Sequence, residues 1–341
     1  MRWALRIVAA IVLLALAALA LRIVPAHLQI RRVAPRLPTR EELRSLKNAP
    51  GGPQSLRWIN TSSQPLPRGV IGHSVFLAAW PDGSLFEVDA GMDAAAAVAF
   101  GELLGTLSGG GEVTPLGTVS EQIGSAVARV RGIGFTHLHI DHTQGITALC
   151  AAGPAAGARV YQGKPQATLR DPNTKEGAAL IEGACFEPVV AGDEGLLPLT
   201  AFPGMALIPL GGHTACSTMF AFAVDGHLWL LSGDITNTRE ALLANRGKGF
   251  LYSGLLVPED TRRTEELRLY LAALDAEDDI SVVVSHDLDA LRASGLPEWA
   301  QPPAREPEKS AAASVLSNPQ ANRANRVDGA SSRLCAGEDS S

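Results

Sequence analysis

Residues Thr136-His137-Leu138-His139-Ile140-Asp141-His142 place three imidazoles and a carboxylate within six consecutive positions. These are the side chains that hold divalent zinc or iron. The apolar run before them predicts a strand over 132–139. Alternation along it would put His137, His139 and Asp141 on one face, and a turn would bring His142 back to the same space. The plain alternative is a solvated histidine-rich loop, and residues far downstream speak against it.

His213 stands in Pro209-Leu210-Gly211-Gly212-His213-Thr214-Ala215-Cys216-Ser217, Asp234 ends the apolar run Leu230-Leu231-Ser232-Gly233-Asp234, and His286 ends Ser281-Val282-Val283-Val284-Ser285-His286. Each is a ligand-type residue at the C-terminal tip of an expected strand, where loops carry chemistry on a rigid scaffold. One alone would read as a capping aspartate or a packed core histidine. Four such places in this order point to one metal centre.

The pattern resembles the metallo-β-lactamase fold superfamily, and within it the dinuclear hydrolases, over about residues 55–295. The resemblance implies an αββα sandwich, two mixed sheets flanked by helices. It implies that His137, His139 and His213 hold one metal, that Asp141, His142 and His286 hold a second, and that Asp234 bridges both. Asp89, in Phe86-Glu87-Val88-Asp89-Ala90-Gly91, would steady the ligand loop from outside the metal shell; the residues alone allow a turn aspartate equally. The chain departs from the family in Ala215-Cys216-Ser217 after His213, in Gly211 where proline is common, and in Gln144-Gly145 after the main motif. None of these removes a ligand. Cys216 reads as a packing residue beside a complete site.

The implied chemistry is metal-dependent hydrolysis. Two divalent ions ~3.5–4 Å apart share a water and lower its pKa toward ~7, making hydroxide at neutral pH. Asp141 and Asp234 are the expected catalytic carboxylates, Asp141 also as a proton shuttle to the leaving group. Zinc is the default ion, with iron, manganese or cobalt compatible with the same donors. An aspartate at position 234 separates the chain from the true zinc β-lactamases of the family. It points toward the family's thioester, lactone and phosphoester hydrolases, and His286-Asp287, which resembles the N-acyl-homoserine lactonases, turns the expectation to a small-molecule ester, lactone or thioester. A phosphodiesterase on the same metals and a di-iron redox protein are the alternatives. A formal net charge of −6, Lys+Arg 29 against Asp+Glu 35, gives no basic field for nucleic acid.

Residues 1–26 read as a signal peptide or membrane anchor, because Arg2 and Arg6 precede the unbroken apolar run Ile7–Leu21. Val24-Pro25-Ala26 is a tolerable cleavage site. The following Arg31, Arg32, Arg36 and Arg40 read as membrane-flanking charges, which conflicts with an outward-facing domain. An exported or periplasmic enzyme, an anchored one, and a cytoplasmic-facing anchor therefore all remain open. Residues 27–54 read as a linker, 55–300 as the hydrolase domain and 301–341 as a disordered tail. Cys150 and Cys185 would either pair in an exported domain or stay as two buried thiols.

Among the remaining elements, hairpins are expected over 74–88 and 220–231. Helices are expected over 93–106, over 120–129 with Ser120 as cap, and over 259–275 with Leu267, Leu269, Leu271 and Leu274 as its apolar face. The loop 107–112 reads as a surface loop or a lid. Tyr252 reads as packing and Arg246 and Lys248 as a solvated loop, each with substrate contact as the sharper alternative.

Overall fold

The computed structural model describes residues 2–299; the expected tail, 301–341, lies outside them. The first sheet is built from β1 (Ser55–Pro65), β2 (Val70–Ala79), β3 (Leu85–Val88), β4 (Thr114–Pro115), β5 (Val130–Gly134), β6 (Arg159–Gln162) and β7 (Glu187–Val190), in the order β4-β1-β2-β3-β5-β6-β7. The second contains β8 (Leu197–Pro198), β9 (Met205–Pro209), β10 (Thr218–Val224), β11 (His227–Leu231) and β12 (Ile280–Val283), in the order β12-β11-β10-β9-β8. Both sheets are mixed: β3, β5, β6 and β7 run parallel, as do β11 and β12, and the remaining pairs are antiparallel.

Three apolar layers account for the αββα stack. Phe76, Phe86, Met205, Leu207, Phe220 and Phe222 fill the space between the sheets. The helices are α1 (Arg2–Ile30), α2 (Arg40–Arg44), α3 (Ala94–Ser108), α4 (Val119–Ile123), α5 (Ile140–Thr143), α6 (Ile146–Ala152), α7 (Lys164–Thr168), α8 (Lys175–Glu182), α9 (Arg239–Leu243), α10 (Thr261–Asp275) and α11 (Leu288–Ala293). Ile123, Leu149 and Ile181, from α4, α6 and α8, pack with Ile133 and Val160 on the outer face of the first sheet. Leu43, Leu242, Leu267 and Leu271, from α2, α9 and α10, cover the second with Met219 and Leu230.

Several local expectations change. The strand expected to reach His139 ends at Gly134, whose partner Val88 also ends β3. Beyond it the backbone is held by side chains instead: Thr136 N donates to Asp89 Oδ1 at 2.7 Å. Asp141 lies on the helical turn α5 and so does not share a strand face with His137 and His139. Thr118, not Ser120, caps α4 through a capping box with Glu121. Leu269 is exposed, while Leu267, Leu271 and Leu274 form the buried stripe of α10. The loop after α3 is tied to β1, with Gly111 N donating to Pro65 O and Gln64 Nε2 to Gly111 O.

Residues 27–54, expected as a linker, are folded against the domain. Ile30, Leu43 and Leu46 are buried, and Thr39 caps α2. Arg263 Nη2 donates to Pro35 O at 2.7 Å. A Cβ at Gly211 would lie 2.1 Å from Val33 O, and its φ of +67° is closed to proline, so glycine is required where this strap crosses the chain. The arginines taken as membrane-flanking are partly used by the fold: Arg36 pairs with Glu42 and Arg40 with Glu277. Arg44 and Lys47 converge on Asp279. Composition suggested a linker here because the apolar residues that anchor the strap are few and far apart.

Cys150 and Cys185, left open between a pair and two thiols, form a disulfide joining the end of α6 to the segment after α8.

Candidate metal centre

The ligand-type side chains converge where strand ends from both sheets meet. The β5–α5 segment brings His137, His139, Asp141 and His142, the β9–β10 loop His213, the turn after β11 Asp234, and the segment after β12 His286. Strand β2 adds His73, which the sequence reading passed over because a single histidine in an apolar strand carries no distinguishing signal. Among the described residues three sets could each hold an ion, with ligand atoms within 4.8 Å of one another: His137, His139 and His213; His73, Asp141 and His286; His137, His142 and Asp234.

Asp234 stands between them. Its Oδ1 is 3.5 Å from His142 Nε2, and its Oδ2 is 3.0 Å from His286 Nε2 and 3.9 Å from His213 Nε2. Asp141 Oδ2 lies 3.5 Å from both His142 Nε2 and His286 Nε2, and 3.9 Å from His73 Nε2. The donor set suits divalent metals on a direct observation. Among the described residues, His73 Nε2, His139 Nε2, His142 Nε2, His213 Nε2 and Asp234 Oδ1 are all buried without a hydrogen-bond partner. Buried polar atoms are normally satisfied. Here they face one another, as metal donors do.

The opposite nitrogens are anchored. His142 Nδ1 is 2.9 Å from Asp89 Oδ2, His213 Nδ1 is 2.5 Å from Glu259 Oε1, His286 Nδ1 is 2.8 Å from Gly72 O, and His73 Nδ1 is 2.8 Å from Ser62 Oγ. Such partners fix ring orientation and leave Nε2 as the donor toward the cluster. The tight turn beneath the ligand loop needs glycine: a Cβ on Gly145 would sit 2.1 Å from Ala90 O. Beside it Gln144 exchanges two 2.7 Å hydrogen bonds with Asp93, the cap of α3. That pair explains the departure from a Gly-Gly sequence.

The electrostatics follow from burial and crowding. Burial and the neighbouring His286 lower His73 to about 4, and burial with His213 lowers His139 to about 3. For His142 burial works downward, but Asp89 and Asp141 outweigh it and raise it to about 10. Burial pushes the Asp234 carboxyl up, and His286 and Lys248 overcome it and hold it well below the usual range. The site therefore keeps its carboxylates ionised in a buried setting, which favours cations.

Lys248 was expected in a solvated loop. Instead its side chain is 6% exposed, with Nζ 3.3 Å from Glu259 Oε1 and 4.0 Å from Asp234 Oδ2. It lies 5.2 Å from the centre of the Tyr252 ring. Its only sequence cue is its position between Gly247 and Gly249. Arg246 is exposed and pairs with Glu240. Cys216 packs in the core of the first sheet, and burial pushes its thiol up to about 11. Asp287, suggestive beside His286, caps α11 and accepts from Arg239 N. Its role is accounted for by the backbone.

A cavity of about 830 Å³ opens over the cluster, touching His139, Asp141, Asp234, His286, Lys248 and Tyr252. Apolar side chains of α3 and of 250–257 form much of its wall.

The Metallo-beta-lactamase superfamily pattern matches residues 68–286, a stretch that contains every converging residue named above. Among solved structures, an N-acyl homoserine lactone hydrolase with N-hexanoyl-L-homoserine at its catalytic metal center aligns with a TM-score of 0.50 and 15% identity, over 71% of this chain and 96% of that chain. A point mutant of AiiA from B. thuringiensis, with N-decanoyl-L-homoserine bound at its active site, aligns with a TM-score of 0.50 and 14% identity over 71% and 96%. No curated protein matches the sequence. At these identities the solved structures speak to the fold, while the family pattern spans more than half of the chain. The chain belongs to the metallo-β-lactamase superfamily, as one of its metal-dependent hydrolases.

Proposed function

We propose that the centre is dinuclear and hydrolyses a small ester, lactone or thioester. His137, His139 and His213 would hold one ion, Asp141, His142 and His286 the other, and Asp234 would serve both. The observation that carries this reading is the placement of Asp234, whose two oxygens face histidines of both sets. His73 joins the second set through its approach to Asp141 and His286.

Two divalent ions in such a cluster would supply Lewis acidity and an acidified water. Zinc suits the donors, and iron, manganese and cobalt are compatible. The protein's own part is positioning and proton transfer. Asp141, at the cavity wall, would accept a proton and pass it to the leaving oxygen or sulfur. Lys248 faces Asp234 and would orient a polar group of the substrate. The apolar wall would hold the rest of the molecule, as an acyl group would require. A phosphodiester is the second reading, favoured by the buried cation of Lys248.

The N-terminal helix is proposed as a retained anchor. It runs Arg2–Ile30 with a mean hydropathy of 2.9 over its most apolar window, long enough to cross a bilayer. Its last turns are built into the domain: Ile23, Ala26 and Ile30 are buried, and the His27 ring lies 3.2 Å from both Gly254 O and Glu259 O. Cleavage after Ala26 would remove part of that packing. The Cys150–Cys185 disulfide supports an oxidising side of the membrane for the domain.

The test is metal content by elemental mass spectrometry on the full chain, followed by a panel of lactones, carboxyl esters and phosphodiesters. About two zinc or manganese ions per chain, reduced by Asp234→Asn, with turnover of the carboxyl substrates, is the expected result. About two irons with a visible charge-transfer band would turn the assignment to redox chemistry. Folded protein without bound metal would sink it.

A further inference from the structure

The root of the N-terminal helix and the mouth of the metal-lined cavity are the same place. Arg22, where the exposed apolar length of α1 ends, lines the cavity together with His139, Asp141 and His286. It also lines a crevice with Ile23, Ala26, Leu255 and Leu256, where the helix meets the segment 249–257. His27 of the helix is bonded to Gly254 O in that segment and to Glu259 O just beyond it. The Glu259 carboxylate in turn holds His213.

The rim at this point is apolar and faces outward. Phe250 is 78% exposed, Leu251 69%, Leu103 59% and Leu107 55%. All four line the cavity. A soluble domain rarely exposes neighbouring large apolar side chains without a partner. Arg22 at this rim leads into the apolar length of α1, whose Leu13 and Leu14 are 66% and 70% exposed. Only a hydrocarbon phase satisfies both surfaces at once.

We propose that the cavity mouth opens onto the bilayer that holds α1, so that the enzyme draws a membrane-dissolved amphiphile, a lipophilic ester or lactone, from the lipid rather than from water. The membrane contact rests on the retained anchor, and the substrate class on the hydrolase reading above. The reactive carbonyl would reach the metal cluster while the tail stays between α3 and the segment 249–257.

The experiment places the full chain in phosphatidylcholine vesicles doped with a diazirine-tailed fatty alcohol, photolyses, and maps adducts by peptide mass. Adducts on α1 and also on Leu103, Leu107, Phe250 or Leu251 are expected. The turn at Asp82, at the strand ends opposite the cluster, should remain unlabelled. Adducts confined to α1, or equal labelling of the Asp82 turn, would overturn the proposal. A second arm uses the metal-loaded protein and dodecanolactone. Its rate should follow the mole fraction of lactone in the bilayer, and a rate that follows the aqueous concentration instead would also overturn it. Rim adducts without turnover of any ester or lactone would count against the hydrolase reading alone, since the lipid-facing mouth stands on the adducts.

Discussion

Asp89 Oδ2 accepts from His142 Nδ1 at 2.9 Å while the same carboxylate takes the Thr136 backbone N–H at 2.7 Å and the Thr136 hydroxyl at 2.8 Å. One buried side chain thus ends β3, fixes the start of the ligand loop and aims an imidazole. Asp89 has a φ of +63°, a conformation that aspartate tolerates better than most residues. Asp89→Asn keeps the shape but weakens the hold on His142. Metal affinity should fall by about 10–100-fold, the usual loss for such an outer partner. Competition with a chromogenic chelator measures it, and an unchanged affinity would reduce Asp89 to a turn residue.

Glu259 plays the matching part for His213. Burial pushes its carboxyl up, but Lys248, with hydrogen bonds from His213 and Ser253, holds it at about 2. It is therefore an anion at any working pH. Glu259→Gln should release His213 and selectively lower occupancy of the set His137, His139 and His213 by about 10–100-fold. Elemental analysis after graded dialysis should show one ion lost before the other. Equal loss of both ions would contradict the division into two sets.

The converging residues His137, His139, Asp141, His142, His213, Asp234 and His286 were legible because each ligand type sits at the end of an apolar run, a purely local signal. His73 was not, since its meaning comes from Asp141 and His286, both distant in sequence. Lys248 and Glu259 were hidden for the same reason: their burial depends on each other and on Asp234. The two-sheet architecture was legible through the family resemblance that these same motifs carry, and the hairpins and helices expected along the chain suited it. The strap of residues 27–54 was not, because Leu43 and Leu46 find their partners on α10 and the second sheet, and nothing local announces such docking.

The Cys150–Cys185 bridge closes a separation of 35 residues around β6, α7 and α8. In the chain-entropy account a loop of that size stabilises by about 3–4 kcal/mol. The double replacement Cys150→Ala and Cys185→Ala should therefore lower the thermal midpoint by several degrees without changing metal content. Differential scanning calorimetry of the oxidised protein, the reduced protein and the variant checks it. A variant that melts with the oxidised protein would show that the bridge adds nothing to stability.

Glu87 offers a test of stability away from the metals. It lies in β3, fully buried, and neither carboxylate oxygen has a hydrogen-bond partner among the described residues. Burial, helped by the nearby Asp89, raises its pKa well above the usual range. The folded protein therefore keeps Glu87 protonated where the unfolded chain would ionise it. Its stabilising contribution is full below the unfolded pKa of about 4.3 and is lost as pH rises toward the folded value. Glu87→Gln removes the titration while keeping the shape. Relative to the parent it should gain about 1.4 kcal/mol for each pH unit between the unfolded and folded pKa values, and gain almost nothing below about pH 4. Urea unfolding of both proteins across the acid-to-neutral range would show two curves that diverge as pH rises. Parallel curves would mean that Glu87 is ionised in the fold, against its burial.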